Sequence, residues 1–113
     1  MRRIAFAFSA LLIAISGFAA APVWAQEQTF TLTIKDHRFD PARLEVPSNV
    51  KFKLVVKNLD NERAEFESKP MKLEKIIAPR GEITLTVGPL KPGEYTFVEE
   101  FHEDVAKGVL VAK

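Results

Sequence analysis

Strict alternation between apolar and polar side chains is the feature that most constrains the fold of this chain. In the run 29–35, Phe30, Leu32 and Ile34 alternate with threonines and a lysine. Neighbouring side chains of a β-strand point to opposite faces, so this pattern predicts a strand with one buried face. Six further runs suit short strands: 43–46, 50–57, 73–77, 82–87, 94–99 and 108–112.

Turn-forming residues separate these runs. Proline, glycine and asparagine recur between them because they preset or permit the backbone angles of turns. Seven short strands with this punctuation predict an all-β, antiparallel sandwich. The longest irregular segment is 58–72, which has room for one helical turn. Long loops on small sandwiches commonly carry function.

The first 25 residues are predicted to be a secretory signal peptide. Arg2 and Arg3 precede an apolar segment, and Val23 and Ala25 are small residues suited to cleavage after Ala25. The alternative is an uncleaved anchor, but polar residues, glycine and proline shorten the apolar span below the roughly 18–20 residues that cross a bilayer. We therefore expect export, and a single domain over residues 26–113 with no membrane span.

Charge and cysteine content exclude several functions. Export would remove two arginines from 16 basic residues that face 15 acidic ones, so the mature domain is nearly neutral. Nucleic-acid binding is not expected, because it depends on a basic surface. The chain has no cysteine, which excludes disulfides, thiol catalysis and thiolate metal ligands.

The stretch FVEEFHED, residues 97–104, concentrates potential metal ligands. Glu99 continues the inward parity of Tyr95 and Phe97. A buried carboxyl group needs a proton, a cation or hydrogen-bond donors, and His102 can reach it if the strand gives way to a loop. On spacing alone, a solvated acidic turn is the simpler interpretation of this stretch.

Other candidate ligands also have simple structural interpretations. His37 suits a histidine bonded within a turn, and Met71 suits a methionine that fills a gap in the core. Glu65 and Glu67 suit exposed loop charges. These alternatives stay open at the level of local pattern.

The mature chain resembles small bacterial cupredoxins, which are Greek-key β-sandwiches. Their C-terminal pattern is Tyr-x-Phe-x-Cys-x-x-His, a short loop, then Met-x-Gly, and it is matched here by Tyr95, Phe97, His102 and Gly108. Glu99 stands at the position of the copper-binding cysteine and Ala106 at that of the axial methionine. Glu65 precedes Phe66 where the family has its first histidine ligand. The resemblance therefore implies a cupredoxin-like Greek-key β-sandwich of about seven strands without a type 1 copper site.

The segments EFES, LKPGEY and EFHE are most similar to the cupredoxin-like periplasmic component of bacterial ferrous-iron transport systems. That resemblance covers nearly all of residues 28–113. It implies a periplasmic protein that binds Fe(II) through Glu65, Glu99 and His102, with His37, Glu67 and Glu100 as further candidates. Carboxylate ligands favour Fe(III) over Fe(II), so a ferroxidase-type step is expected.

The implied partners are a periplasmic iron-binding protein acting beforehand and an inner-membrane iron permease that receives the iron. Two alternatives stay open. One is a periplasmic Cu(II)-binding or copper-delivery protein, because nitrogen and oxygen sites take Cu(II) more tightly than Fe(II). The other is a metal-free β-sandwich that serves as an interaction module through its acidic loop.

Overall fold

The alternating runs form the strands of a β-sandwich in the computed structural model, which describes residues 27–113. The predicted signal peptide, residues 1–25, lies outside the described residues. Within them, nine strands form: β1 (Gln28–Lys35), β2 (Arg38–Asp40), β3 (Arg43–Val46), β4 (Phe52–Asn58), β5 (Ala64–Ser68), β6 (Leu73–Ile77), β7 (Glu82–Val87), β8 (Gly93–Glu99) and β9 (Lys107–Ala112). A short 3₁₀ helix, Glu100–His102, follows β8.

All seven predicted strands are present, with ends within two residues of the predicted ones. The all-β class is confirmed, but the expected count of seven is too low because β2 and β5 were missed. β2 has three residues, of which only Phe39 is buried. β5 lies in the segment 58–72, which was expected to be irregular. Its alternation depends on a single large apolar residue, Phe66, between two glutamates, and this signal is too weak to predict a strand.

Two mixed sheets make up the sandwich, with strand orders β2-β1-β4-β7 and β3-β9-β8-β5-β6. The expectation of a purely antiparallel sandwich is wrong at two pairings, since β1 pairs with β4 and β3 with β9 in parallel. The chain leaves the first sheet after β2, contributes β3 to the second sheet, and returns beside β1. That crossover brings β4 back in the same direction as β1.

Three phenylalanine rings support the end of the sandwich where the candidate ligands lie. Phe39 meets Phe97 edge to face, with ring centroids 4.8 Å apart, and Phe66 lies 5.6 Å from Phe97. Such pairs contribute beyond the apolar area that they bury. Each ring is within two residues of a candidate ligand: His37, Glu65 or Glu99. The same buried cluster therefore fixes the backbone of all three segments.

Gly108 lies against this cluster. A Cβ atom at this position would stand 2.5 Å from Phe97 Cζ and 2.6 Å from the carbonyl oxygen of Ala42. Both distances are far below van der Waals contact, so β9 packs on Phe97 only because residue 108 has no side chain.

No helix in the described part of the chain is long and apolar enough to cross a membrane.

Candidate metal centre

The carboxyl group of Glu99 is buried at the end of β8, and its residue is 1% exposed. As the strand alternation predicts, it follows Phe97 on the inward face. Its Oε1 accepts hydrogen bonds from the backbone N–H groups of Glu65 and Phe101, both at 3.0 Å. Its Oε2 lies 2.6 Å from His102 Nδ1. Both oxygens are therefore partnered, which offsets the cost of burying the group.

His102 is held by its ring and by its backbone. The 3₁₀ turn ends the strand and brings the ring back to Glu99. This is the break in the strand that their spacing in the sequence required for the two residues to meet. The carbonyl oxygen of His102 accepts from the N–H groups of Val105 and Ala106, and Glu99 N–H donates to Ala106 O at 2.9 Å. Since Nδ1 faces Glu99, Nε2 is the nitrogen left for a metal.

His37 stacks on His102 although 65 positions separate them in the sequence. Their ring centroids are 3.7 Å apart and their planes differ by 20°. His37 lies in the two-residue turn between β1 and β2, where Asp36 and His37 have φ angles of 51° and 57°. The side chain of His37 is 37% exposed and that of His102 30% exposed, so both rings are reachable from solvent.

Glu62 completes a group of three donors. One ligand atom each of His37, Glu62 and His102 lies within 4.8 Å of the other two. The loop that carries Glu62 is anchored by buried Asn58, whose amide Nδ2 donates to Glu62 O at 2.7 Å. Beside these residues is a cleft of about 300 Å³ lined by Asp36, His37, Asp60, Asn61 and Glu62. The site is therefore open and rich in carboxylates.

Glu65 contributes its backbone to this site but turns its side chain elsewhere. Its carboxyl group faces outward on β5, where Glu65, Glu74 and Glu100 form a second group with donor atoms within 4.8 Å of one another. Hydrogen bonding to Glu74, and then to Glu100, raises the pKa of Glu65 to about 7. Hydrogen bonding to Glu100 also raises the pKa of Glu67. The carboxyl groups of Glu65, Glu74 and Glu100 thus form a close group at the surface of the second sheet.

The predicted ligand set is thus divided between neighbouring groups. Glu99 and His102 are in contact, whereas the Glu65 carboxyl group belongs to the outer cluster. The roles of Glu65, Glu99 and His102 as metal ligands stay predictions. His37 and Glu62 join His102 instead. His37 was a reserve candidate, and Glu62 was missed because nothing in its local sequence distinguishes it from a solvated loop residue.

Two positions where cupredoxins carry sulfur have other roles here. Ala106, at the methionine position, is fully buried, and Glu99 replaces the cysteine. Met71 packs partly buried against the core, in keeping with the gap-filling interpretation.

Comparisons with known proteins agree on the fold. The profile of the cupredoxin-like domain family matches residues 4–112. An uncharacterized protein of Rickettsia prowazekii (strain Madrid E) is 42% identical over 80 residues, which are 71% of this chain. The chain spans 64% of that relative's length.

Solved structures with the same fold include copper proteins. Auracyanin A, a "blue" copper protein from Chloroflexus aurantiacus, aligns with a TM-score of 0.67 and 13% identity, over 78% of this chain and all of its own. The metal-binding domain of the Cu(I)-exporting P-type ATPase of Streptococcus pneumoniae D39 aligns with a TM-score of 0.61 and 13% identity, over 75% of this chain and 84% of that domain. At this identity the likeness shows the fold alone.

Proposed function

The chain belongs to the cupredoxin-like domain family, and from this premise we propose that it binds Fe(II) in the periplasm through His37, Glu62 and His102. The observation that supports the proposal best is the meeting of two imidazoles and one carboxylate within 4.8 Å. Two histidines and one carboxylate are the ligand set of many non-haem Fe(II) sites, and they leave coordination positions open. Iron is here the cargo of the protein.

A type 1 copper centre does not fit these residues. That centre requires a cysteine thiolate, and this chain has no cysteine. Glu99 occupies the cysteine position and Ala106 the methionine position, so neither sulfur ligand is available.

Glu99 orients His102 in this proposal. Metal-binding histidines usually donate their second ring N–H to a carboxylate or carbonyl, which fixes the tautomer and raises the basicity of the ligand nitrogen. Glu99 Oε2 at 2.6 Å from His102 Nδ1 has this arrangement. Glu99, predicted from sequence as a ligand, is therefore assigned the orienting role, and the set Glu65, Glu99 and His102 becomes the competing hypothesis.

Metal binding requires a small movement of the rings. The lone pair of an imidazole nitrogen lies in the ring plane, so rings stacked at 3.7 Å and 20° do not aim at one point. His37, the more exposed ring, tilts to bring its nitrogen to the metal. The backbone of its two-residue turn stays in place while the side chain rotates.

Oxidation and delivery form the second part of the proposal. Each bound Fe(II) gives one electron to dioxygen, and four iron ions and four protons reduce one dioxygen to two waters. The carboxylate of Glu62 favours this step because hard oxygen ligands stabilise the trivalent ion. The Fe(III) product then passes to an inner-membrane iron permease, after a separate periplasmic iron-binding protein has acted.

Cu(II) binding is the second candidate function. Imidazole ligands suit copper, and copper outcompetes Fe(II) at most nitrogen and oxygen sites. The copper proteins that share the fold favour this candidate at the level of architecture. Elemental analysis of protein from the periplasm of metal-replete cells separates the two, since a copper protein holds copper and no iron there.

The test is an anaerobic calorimetric titration of the mature chain with Fe(II). His37→Ala and His102→Ala each lower the affinity at least tenfold, and Glu62→Gln lowers it less because an amide oxygen remains. Glu65→Gln is the matched control and binds like the wild type. Loss of affinity in Glu65→Gln with none in His37→Ala would transfer the site to the competing set. No Fe(II) binding by the wild type would reject the proposal.

A further inference from the structure

The turn that carries His37 has a backbone conformation that its residues disfavour. Lys35 pairs with Arg38, so Asp36 and His37 are the two residues of the β1–β2 hairpin turn. Both have positive φ angles, 51° and 57°, as a type I′ turn requires. Asn-Gly is the preferred sequence for such turns, and although Asp and His adopt positive φ more often than most residues, the conformation still costs more for them than for glycine. A hydrogen bond from outside the turn would offset that cost.

Asp60 supplies that interaction from the loop after β4. Its Oδ1 accepts the N–H of Asp36 at 2.8 Å, and its Oδ2 accepts the N–H of His37 at 3.0 Å. Successive N–H groups in a turn form a concave site for an anion, and here a carboxylate of the same chain fills it. Burial acts to raise the pKa of Asp60, but these two hydrogen bonds, together with the charges of His37 and Arg80, outweigh it and the pKa is lowered.

Asp60 is itself fixed by the core. Its N–H donates to Oδ1 of Asn58 at 3.0 Å, and its carbonyl oxygen accepts from Arg80 N–H at 3.0 Å. Asn58 is fully buried, and its Nδ2 also donates to Glu62 O. One buried amide therefore positions both Asp60 and the backbone of Glu62.

We infer that Asp60 is a positioning residue for metal binding, which holds the backbone of the left-handed turn so that the His37 ring stays beside His102, a small tilt away from the metal position. The inference rests on the proposed function where it concerns a bound metal, whereas its account of the ring geometry does not depend on that function. The Oδ2 atom of Asp60 is also 3.7 Å from His37 Nδ1, so the carboxylate lies beside the ring as well as at the backbone of the turn. Asp60 thus fixes the backbone that carries His37, whereas Glu99 contacts the ring of His102 directly.

The experiment measures both metal affinity and ring stacking in Asp60→Asn. Co(II) serves as a probe that dioxygen does not oxidise under these conditions. We expect about a 10- to 100-fold loss of Co(II) affinity, the usual effect of removing a group that orients a ligand. In the metal-free protein, the ring-current shifts that stacking at 3.7 Å imposes on the His37 and His102 ring protons are lost in NMR spectra. A change in stability alone would move neither shift.

Two further variants sharpen the test. Asp40→Asn, on the same hairpin, makes the same charge change without touching the turn and leaves affinity and shifts unchanged. Adding Asp36→Gly to Asp60→Asn restores part of the stacking, because glycine adopts the left-handed conformation without steric strain. If Asp60→Asn does not fold, Asp60→Ser takes its place, and we expect the same two losses because one hydroxyl oxygen cannot accept both N–H groups of the turn.

Retention of both Co(II) affinity and ring-current shifts in Asp60→Asn would overturn the inference and leave the proposed function intact. Absence of Co(II) binding by the wild type would instead reject the proposed function. The ring shifts of the metal-free variants would still decide the role of Asp60.

Discussion

Replacement of Glu99 by glutamine separates the orientation of His102 from the stability of the fold. Glutamine keeps one oxygen that can accept hydrogen bonds from the same two backbone N–H groups that donate to Oε1 of Glu99. Its amide NH₂ then faces His102 Nδ1, where Oε2 lies in the native protein. The ring must accept at Nδ1 and carry its proton on Nε2. A protonated Nε2 cannot bind a metal, so Glu99→Gln removes a ligand without altering the shape of the site.

The expected magnitudes follow from these contacts. Loss of the orienting carboxylate lowers metal affinity about 10- to 100-fold, which corresponds to roughly 1.4–2.8 kcal/mol. Stability falls by only about 1 kcal/mol, since one charged hydrogen bond becomes a neutral one. Glu99→Ala would instead leave two part-buried N–H groups without their partner, at up to about 1–3 kcal/mol each. That cost is large beside a total stability of about 5–15 kcal/mol, so glutamine is the informative substitution.

Anaerobic Fe(II) titration measures the affinity, and urea unfolding measures the stability of the same samples. Glu103→Gln is the matched control, because it removes the same charge from an exposed position next to His102. We expect it to change the affinity by less than about twofold, since exposed charges are screened by salt. Affinity of Glu99→Gln within twofold of the wild type would refute the orienting role of Glu99.

Three further predictions concern protonation and packing. The pKa of Glu65 is raised from 4.5 to about 7, so its contribution to folding stability is present below pH 4.5 and is lost as the pH rises through about 7. We expect Glu74→Gln to lower this pKa in a ¹³C NMR titration. An unchanged pKa would contradict hydrogen bonding between the two carboxyl groups. Gly108→Ala forces a methyl group into Phe97 and a backbone carbonyl, so the free energy of unfolding drops by about 1–3 kcal/mol; a stability equal to that of the wild type would show that β9 can shift. Asn58→Asp replaces an amide that donates to three carbonyl oxygens, so it lowers the free energy of unfolding by about 3–5 kcal/mol at neutral pH. The decrease is smaller in acid, where the new carboxyl group is protonated. A decrease that does not depend on pH would exclude this electrostatic origin.

Two controls accompany the packing variants. Thr31→Ala, at an exposed position of β1, tests whether any small change in a strand lowers stability. Asn61→Asp keeps the oxygen that accepts from Arg80 Nε at 2.8 Å, and it introduces the same charge as Asn58→Asp in an exposed loop. Both are expected to stay within about 0.5 kcal/mol of the wild type.

Much of the sandwich follows from local sequence. Alternation located seven strands because a strand with one buried face needs an apolar residue at every second position. The same parity placed Glu99 inward after Phe97, and the short spacing to His102 brought these two residues together. β5 was not predicted because its inward face has a single large side chain, Phe66, between Ala64 and Ser68. Its residues become a strand only when β6 and β8 pair with them.

The residue types alone limit the ligand chemistry at this end of the molecule to carboxylates and imidazoles, because the chain has no cysteine. Which of these groups meet depends on the packing of distant segments. His37 reaches His102 because a turn of the first sheet lies over the end of β8 in the second, and Asp60 fixes that turn from a third segment. Alternation specifies the face of a strand on which a side chain lies. It carries no information about which distant strand end will lie opposite, because that depends on how the strands of the two sheets are arranged around the common core.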